Sequence, residues 1–353
     1  MAEQQEQLKF THPFPKLLFD DSHVEFKKYS KYIIDTDAGS DDAHAILIAS
    51  YILKYIRTDA ELIGITAVAG NAALDNVIKN VYITTRIGHF GDKPPKIYKG
   101  CRTDTLRRFY RDNYFLEDGL GGQQQRLLSE LGLQDKPLEY FHEKQHACDF
   151  IKDSIYKYGE DLCIICIGPM TNIYLTLTMY PDIIDKLGCL FAMGGTYMGV
   201  GNAANSVAEF NVQTDVEATA AVAMAKFKQK LLLPFDVVLA YTLDKKNGKV
   251  IFENGANTKK SQFVESIFKA VSHDGNYILC DELAVMVALV PNLIVYSLKK
   301  NISIVSDGQA RGQVIIDWLT LMRGNQKSVV SILTAFEWDS VIDIATKANL
   351  DQQ

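Results

Sequence analysis

The 353-residue chain is 47% hydrophobic and 23% charged, which fits a globular protein with a large core and excludes a disordered or fibrous one. Its net charge of -6 argues against nucleic acid or an anionic membrane as partner. The apolar run Leu283 to Val290 stops at Pro291-Asn292, far short of a membrane span. Met1 to Leu8 is polar and does not read as a secretory signal, and Asp351-Gln352-Gln353 carries no lipidation signal. Six cysteines, with Cys163 and Cys166 inside an apolar run, read as core thiols of a reducing compartment, so a cytoplasmic location is expected.

Residues 1 to about 30 read as an extension, followed by one domain over 31–353. Tyr32–Asp35 is the first apolar, strand-like run, and Asp42–Leu53 the first helical one. Then come strand Leu62–Ala69, helix Leu74–Ile87, helix His146–Tyr158, strand Leu162–Ile167 and helix Asn172–Met179. Strand Leu190–Met193, helix Val216–Lys226, strand Leu231–Val238 and helices Gln262–Val271 and Asp281–Val290 continue the series. Near the end, Ile302–Val305 and Gly312–Ile316 flank Ser306-Asp307-Gly308 like a hairpin. The alternation predicts an α/β fold: an open, mostly parallel, Rossmann-like sheet flanked by helices.

Between the first strand and first helix, Asp35, Asp37, Asp41 and Asp42 fall within eight residues. Ligands of open α/β sheets sit beyond the carboxyl ends of strands. Like charges gathered there repel unless a cation or polar ligand compensates them. One aspartate could be a helix cap, but four imply a hard metal ion, a polyhydroxylated ligand, or both. An EF-hand fails on spacing, because Ser40 holds the position where that loop needs glycine. Polar groups recur at other strand ends: Asn71, Gly168 to Asn172, and Gly194-Gly195. Asp281 opens the last long apolar helix.

From Asp35 to Ala45 the chain resembles the DxDxGxDDAxA hallmark of the inosine-uridine preferring nucleoside hydrolases. Further matching elements are Gly70-Asn71, Pro95 to Gly100, Gly168-Pro169-Met170-Thr171-Asn172, Met193-Gly194-Gly195, Ala208-Glu209-Phe210-Asn211, Cys280-Asp281 with Ala284, and Arg311-Gly312. The resemblance implies the nucleoside hydrolase fold and Ca²⁺-dependent cleavage of ribonucleosides by a homodimer or homotetramer. Asp37, Asp42 and Asp281 would be metal ligands together with the Ile167 carbonyl. Asp41, Asn71, Met193, Asn202, Glu209 and Asn211 would bind ribose, with Asn205 an alternative to Asn202. Asp35 would be a supporting carboxylate. Phe115-Leu116 stands where the family usually has His-Gly, within a stretch that reads as a lid. Cys280 replaces the usual His or Trp, as in a subgroup with members that favour 6-oxopurine nucleosides.

The chemistry needs an activated water, a stabilised ribosyl cation and a departing base. Asp37 is the candidate general base, and Ca²⁺ the source of an acidified water. No histidine precedes Asp281, and Cys280 is a poor acid, so purines with a protonatable N7 are the expected substrates, inosine and guanosine first. His273, Asp274 and Tyr277 are candidate base contacts, and Arg102, Arg107, Arg108 and Arg111 candidate donors to a 6-oxo group. A Mg²⁺-dependent phosphohydrolase of the haloacid-dehalogenase type and a non-catalytic nucleoside-binding protein remain alternatives.

Overall fold

Strand β1 (Lys31–Thr36) buries Tyr32, Ile33 and Ile34 on both faces, as a central parallel strand does. In this computed structural model, residues 26–90, 94–108, 114–243, 248, 251–252, 257–269, 277–319, 321 and 329–351 are described. The other strands are β2 (Glu61–Ala67), β3 (Ile97–Lys99), β4 (Leu162–Cys166), β5 (Cys189–Met193), β6 (Lys230–Leu233), β7 (Ile294–Ile304), β8 (Val314–Ile316) and β9 (Val329–Phe336). The sheet order is β3-β2-β1-β4-β5-β6-β9-β7-β8. The strands from β1 to β6 and β9 run parallel, whereas β7 is antiparallel to both β9 and β8.

The first six strands follow the doubly wound order, whose chain reversal lies between β1 and β4. That crevice is where the acidic segment sits. Every residue of β4 and of β5 is buried, which explains their uninterrupted apolar sequences. Helix α1 (Ser40–Tyr55) is buried from Asp42 to Ser50 and packs against α2 (Leu74–Gly88), α9 (Lys259–Phe268), α10 (Cys280–Leu289) and α11 (Trp338–Leu350). The remaining helices are α3 (Gln124–Glu130), α4 (Ala147–Tyr158), α5 (Thr171–Met179), α6 (Phe210–Thr214), α7 (Val216–Met224) and α8 (Phe235–Leu239).

Three expectations change. The run Leu231–Val238 is a strand only as far as Leu233; Pro234 lacks the N–H a ladder needs and stands at the N-cap of α8. The terminal hairpin exists, but its first strand begins at Ile294 and also pairs with β9. Strand β9 and helix α11 were not foreseen. Tyr29 is buried, and its hydroxyl donates to Gln229 at 2.7 Å, so the ordered packing begins just before the expected start at residue 31. All six cysteines are free, and Cys163 and Cys166 lie buried on β4 as expected. No helix among the described residues is long and apolar enough to cross a membrane.

Candidate active site

The chain leaves β1 through Asp37 and turns sharply at Ala38, whose φ of 43° is the left-handed region that alanine rarely adopts. The turn directs Asp37 inward and starts α1 at Ser40, with Asp41 and Asp42 in its first turn. Asp42 accepts from Thr36 Oγ1 at 2.5 Å, from the Gly39 amide at 2.8 Å and from Asn71 Nδ2 at 3.2 Å. Asp37 accepts from the Asn71 amide at 2.7 Å and from Asn71 Nδ2 at 3.2 Å. Asn71 therefore spans the two carboxylates. Gly70 is required beside it: a Cβ there would lie 2.0 Å from Asp37 Oδ2.

Helix α10 brings Asp281 from the opposite side. Carboxylate oxygens of Asp41, Asp42 and Asp281 all lie within 4.8 Å of one another. Burial, then the neighbouring carboxylates, pushes the carboxyls of Asp37, Asp41 and Asp281 well above the ordinary range, and burial raises Asp42 despite its donors. The N-termini of α1 and α10 offset part of this repulsion. The remainder calls for a cation, and every donor at hand is a hard oxygen, as Ca²⁺ or Mg²⁺ prefers. Asp41, Asp42 and Asp281 could hold it; Asp37, expected as a ligand, lies outside that group of three and is bonded to Asn71, whereas Asp41, expected at the ribose, joins it.

A cavity of about 310 Å³ opens above this cluster, lined by Asp41, Asn71, Ile167, Met193, Asn202, Glu209, Asn211 and Asp281. Asp37 and Asp42 are fully buried behind that wall. The Ile167 carbonyl at the end of β4 accepts from Asn211 Nδ2 at 3.0 Å, and the Met193 carbonyl from the same group at 3.4 Å. Asn211 lines the cavity, and its Oδ1 is buried without a protein hydrogen-bond partner. Glu209 caps α6 and accepts from the amides of Gly195 (2.9 Å), Asn211 (2.7 Å) and Val212 (3.2 Å). Burial still raises its carboxyl to about 7. Asn202 lies on the cavity wall and accepts from the Phe210 amide at 2.8 Å. Asn205 is used elsewhere, accepting from the Ala208 amide and donating to the Arg311 carbonyl. Asp35 supports from behind, accepting from Asn172 Nδ2 at 2.8 Å and from Thr66 Oγ1.

The other expected base contacts fare differently. Arg102 is paired with Asp75, and Arg108 with Asp104 and Glu217; neither they nor Arg107 lines the cavity. Tyr277 lines it, whereas Arg111, His273 and Asp274 lie outside the described residues. The 114–122 stretch is fastened, with Asp118 accepting from the amides of Leu120, Gly122 and Gln124. Sequence reasoning missed the aromatic wall of Phe210, Phe235 and Phe268, which joins Tyr114 and Phe115. Cys280 lies beside it, its thiol pushed well above the ordinary range by burial and by the carboxylate of Asp41.

Known proteins resemble this chain in sequence and in fold. The pyrimidine-specific ribonucleoside hydrolase of Escherichia coli (strain SE11) is 34% identical over 194 residues, 54% of this chain and 55% of that protein. The match thus spans about half the length of such curated relatives. The purine-preferring ribonucleoside hydrolase from Gardnerella vaginalis superposes with a TM-score of 0.74 at 26% identity, covering 91% of this chain and 98% of that one. An inosine-guanosine nucleoside hydrolase shares the fold, with a TM-score of 0.77 at 24% identity over 92% of this chain and 100% of the other. The family model for inosine-uridine preferring nucleoside hydrolases matches residues 32–343, nearly everything from β1 into α11. That match runs over most of the chain and takes in the acidic motif and the strand-end amides, so the chain belongs to the inosine-uridine preferring nucleoside hydrolase family.

Proposed function

We propose that the protein hydrolyses the N-glycosidic bond of ribonucleosides, with Ca²⁺ bound at the acidic cluster, and that it prefers purine bases. The observation that carries the reading is the meeting of Asp41, Asp42 and Asp281 at the floor of a cavity walled by Asn71, Asn202, Glu209 and Asn211. Bound Ca²⁺ supplies the charge that neutralises the carboxylates and acidifies a water. Asp37, held by Asn71, takes the proton from the attacking water. Asn71, Asn202, Glu209 and Asn211 hold the ribose hydroxyls, which orients the sugar for attack. The surrounding carboxylates favour the positive charge that develops on the ribosyl ring. Phe115, Phe210, Phe235 and Phe268 exclude water from the base side.

Among the described residues no imidazole lines the cavity, and the Cys280 thiol is a weaker acid than usual. The departing base then takes its proton from water, and a purine N7 is a ring acceptor for it that uracil lacks. The aromatic wall also offers more stacking surface to two fused rings than to one. Within the purines, inosine and guanosine are placed first on the Cys280-Asp281 resemblance alone, because Arg102 and Arg108 are committed elsewhere. Comparing kcat/KM for inosine, guanosine, adenosine and uridine, with Ca²⁺ and after chelation, tests both parts. Uridine equal to inosine would remove the purine preference; binding without release of free ribose would reinstate a non-catalytic protein.

A further inference from the structure

Directly behind the acidic cluster, His44 of α1 bridges two other helices. Its Nδ1 lies 2.8 Å from Glu282 Oε1 on α10, and its Nε2 lies 3.1 Å from Asn349 Oδ1 on α11. All three residues are fully buried. Phe252 and Phe268 close over the imidazole edge-on, at 5.3 and 5.9 Å between ring centroids. Each bridge residue adjoins the site in sequence: His44 is one turn past Asp41, and Glu282 follows Asp281.

Counting protons fixes the character of the bridge. Asn349 donates through Nδ2 to the Ile251 carbonyl at 2.8 Å, so its Oδ1 faces the imidazole as an acceptor. A carboxylate on the other side would also be an acceptor, and a neutral imidazole has one N–H. The pair therefore shares one further proton and carries no net charge. The geometry places that proton on Glu282, whose second oxygen is buried without a hydrogen-bond partner. Glu282 then donates to Nδ1, and Nε2–H donates to Asn349. An unpartnered Oε2 is a tolerable state for a neutral carboxyl and a costly one for a buried carboxylate.

Two apolar side chains would hold α1 to α10 at no loss of stability, as replacements of buried polar pairs often do. Apolar contacts slide, whereas this bridge is directional at both ends. It also joins the two helices whose N-terminal carboxylates repel one another. We infer that the His44–Glu282 bridge is a positioning device that sets Asp281 against Asp41 and Asp42, and thereby fixes cation affinity without touching the cation. The inference rests on the reading of the acidic cluster as a cation site.

Calorimetric titration of chelator-treated protein with Ca²⁺ tests it, beside the melting temperature of the cation-free form. Glu282→Met and the double variant H44L/E282L should fold and yet bind Ca²⁺ about tenfold or more weakly, the loss usual for residues that orient metal ligands. Glu282→Gln can donate to Nδ1 as the protonated carboxyl does, so its affinity should stay within about threefold of wild type. Folded Met and double-Leu variants with wild-type affinity would overturn the positioning role. A tenfold loss in Glu282→Gln would overturn it independently, because charge rather than geometry would then matter. No Ca²⁺ uptake by the wild type would instead overturn the reading of the cluster itself.

Discussion

Asp37 is held by two donors from a single residue, Asn71, and is pressed against Gly70, where no side chain fits. Such fixing suits a base that must meet a water in one orientation. If Asp37 is that base, Asp37→Ala should lower kcat by roughly 10³-fold, since general-base loss costs ~10²–10⁴. Its circular dichroism should match the wild type. Turnover within tenfold of wild type, with cation still bound, would remove Asp37 from the role of base. The four aspartates were legible in the sequence because their density has no apolar or capping explanation. The aromatic wall was not. Phe115, Phe210, Phe235 and Phe268 come from four separate segments, and each read alone is an ordinary core residue. His44 and Glu282 were equally hidden, as single polar residues within apolar helices whose pairing only the fold creates.

At the scale of the element, α6 shows how a short helix serves the site. It has only five residues, Phe210–Thr214, too few to be stable without its cap. Glu209 supplies that cap with both oxygens, and the adjoining amide of Gly195 after β5 donates to it as well. The same carboxylate lines the cavity. Glu209→Gln turns an amide NH₂ toward backbone N–H donors, so it should destabilise by about 1–3 kcal/mol. Raised KM with smaller change in kcat should accompany it if Glu209 holds ribose in ground and transition states alike. Urea melts and steady-state kinetics of the same preparation check both. A variant as stable as wild type would show that the cap is dispensable. Elements buried on both faces, such as β1, β4 and β5, were readable because nothing interrupts their apolar runs. The end of β6 was misread because apolar residues continue past Pro234 into α8, and only the missing N–H of proline marks the break.

Over the whole molecule, the two ends of the parallel sheet carry different tasks. The carboxyl ends of β1, β4 and β5 gather the carboxylates and amides of the site, at a cost in charge repulsion. A cation that binds only the folded chain returns that cost, about 2.7 kcal/mol at a Ca²⁺ concentration one hundred times Kd. The melting temperature should therefore rise with added Ca²⁺ and fall on chelation, and a calorimetric scan that shows no shift would contradict the cation site. At the opposite end, Lys230 begins β6. It is nearly buried and donates to the carbonyls of Ala223 and Ala225 at 2.6 and 2.8 Å, where α7 ends. Burial lowers its pKa from 10.5 to about 8. Between those values the unfolded chain binds the proton more tightly than the folded one, so Lys230 makes stability rise with pH across that window. Below pH 8 its full penalty, on the order of 3 kcal/mol by the usual conversion, is present. Lys230→Met should remove this rise, so the stability difference between variant and wild type shrinks or reverses from pH 8 to 10.5. Because the site lies at the other end of the strands, nucleoside hydrolysis at pH 7 should be unaltered. Denaturant melts of both proteins at pH 7, 8, 9 and 10 read the slope directly. Parallel curves would mean that Lys230 keeps an ordinary pKa and that the helix end compensates its charge fully.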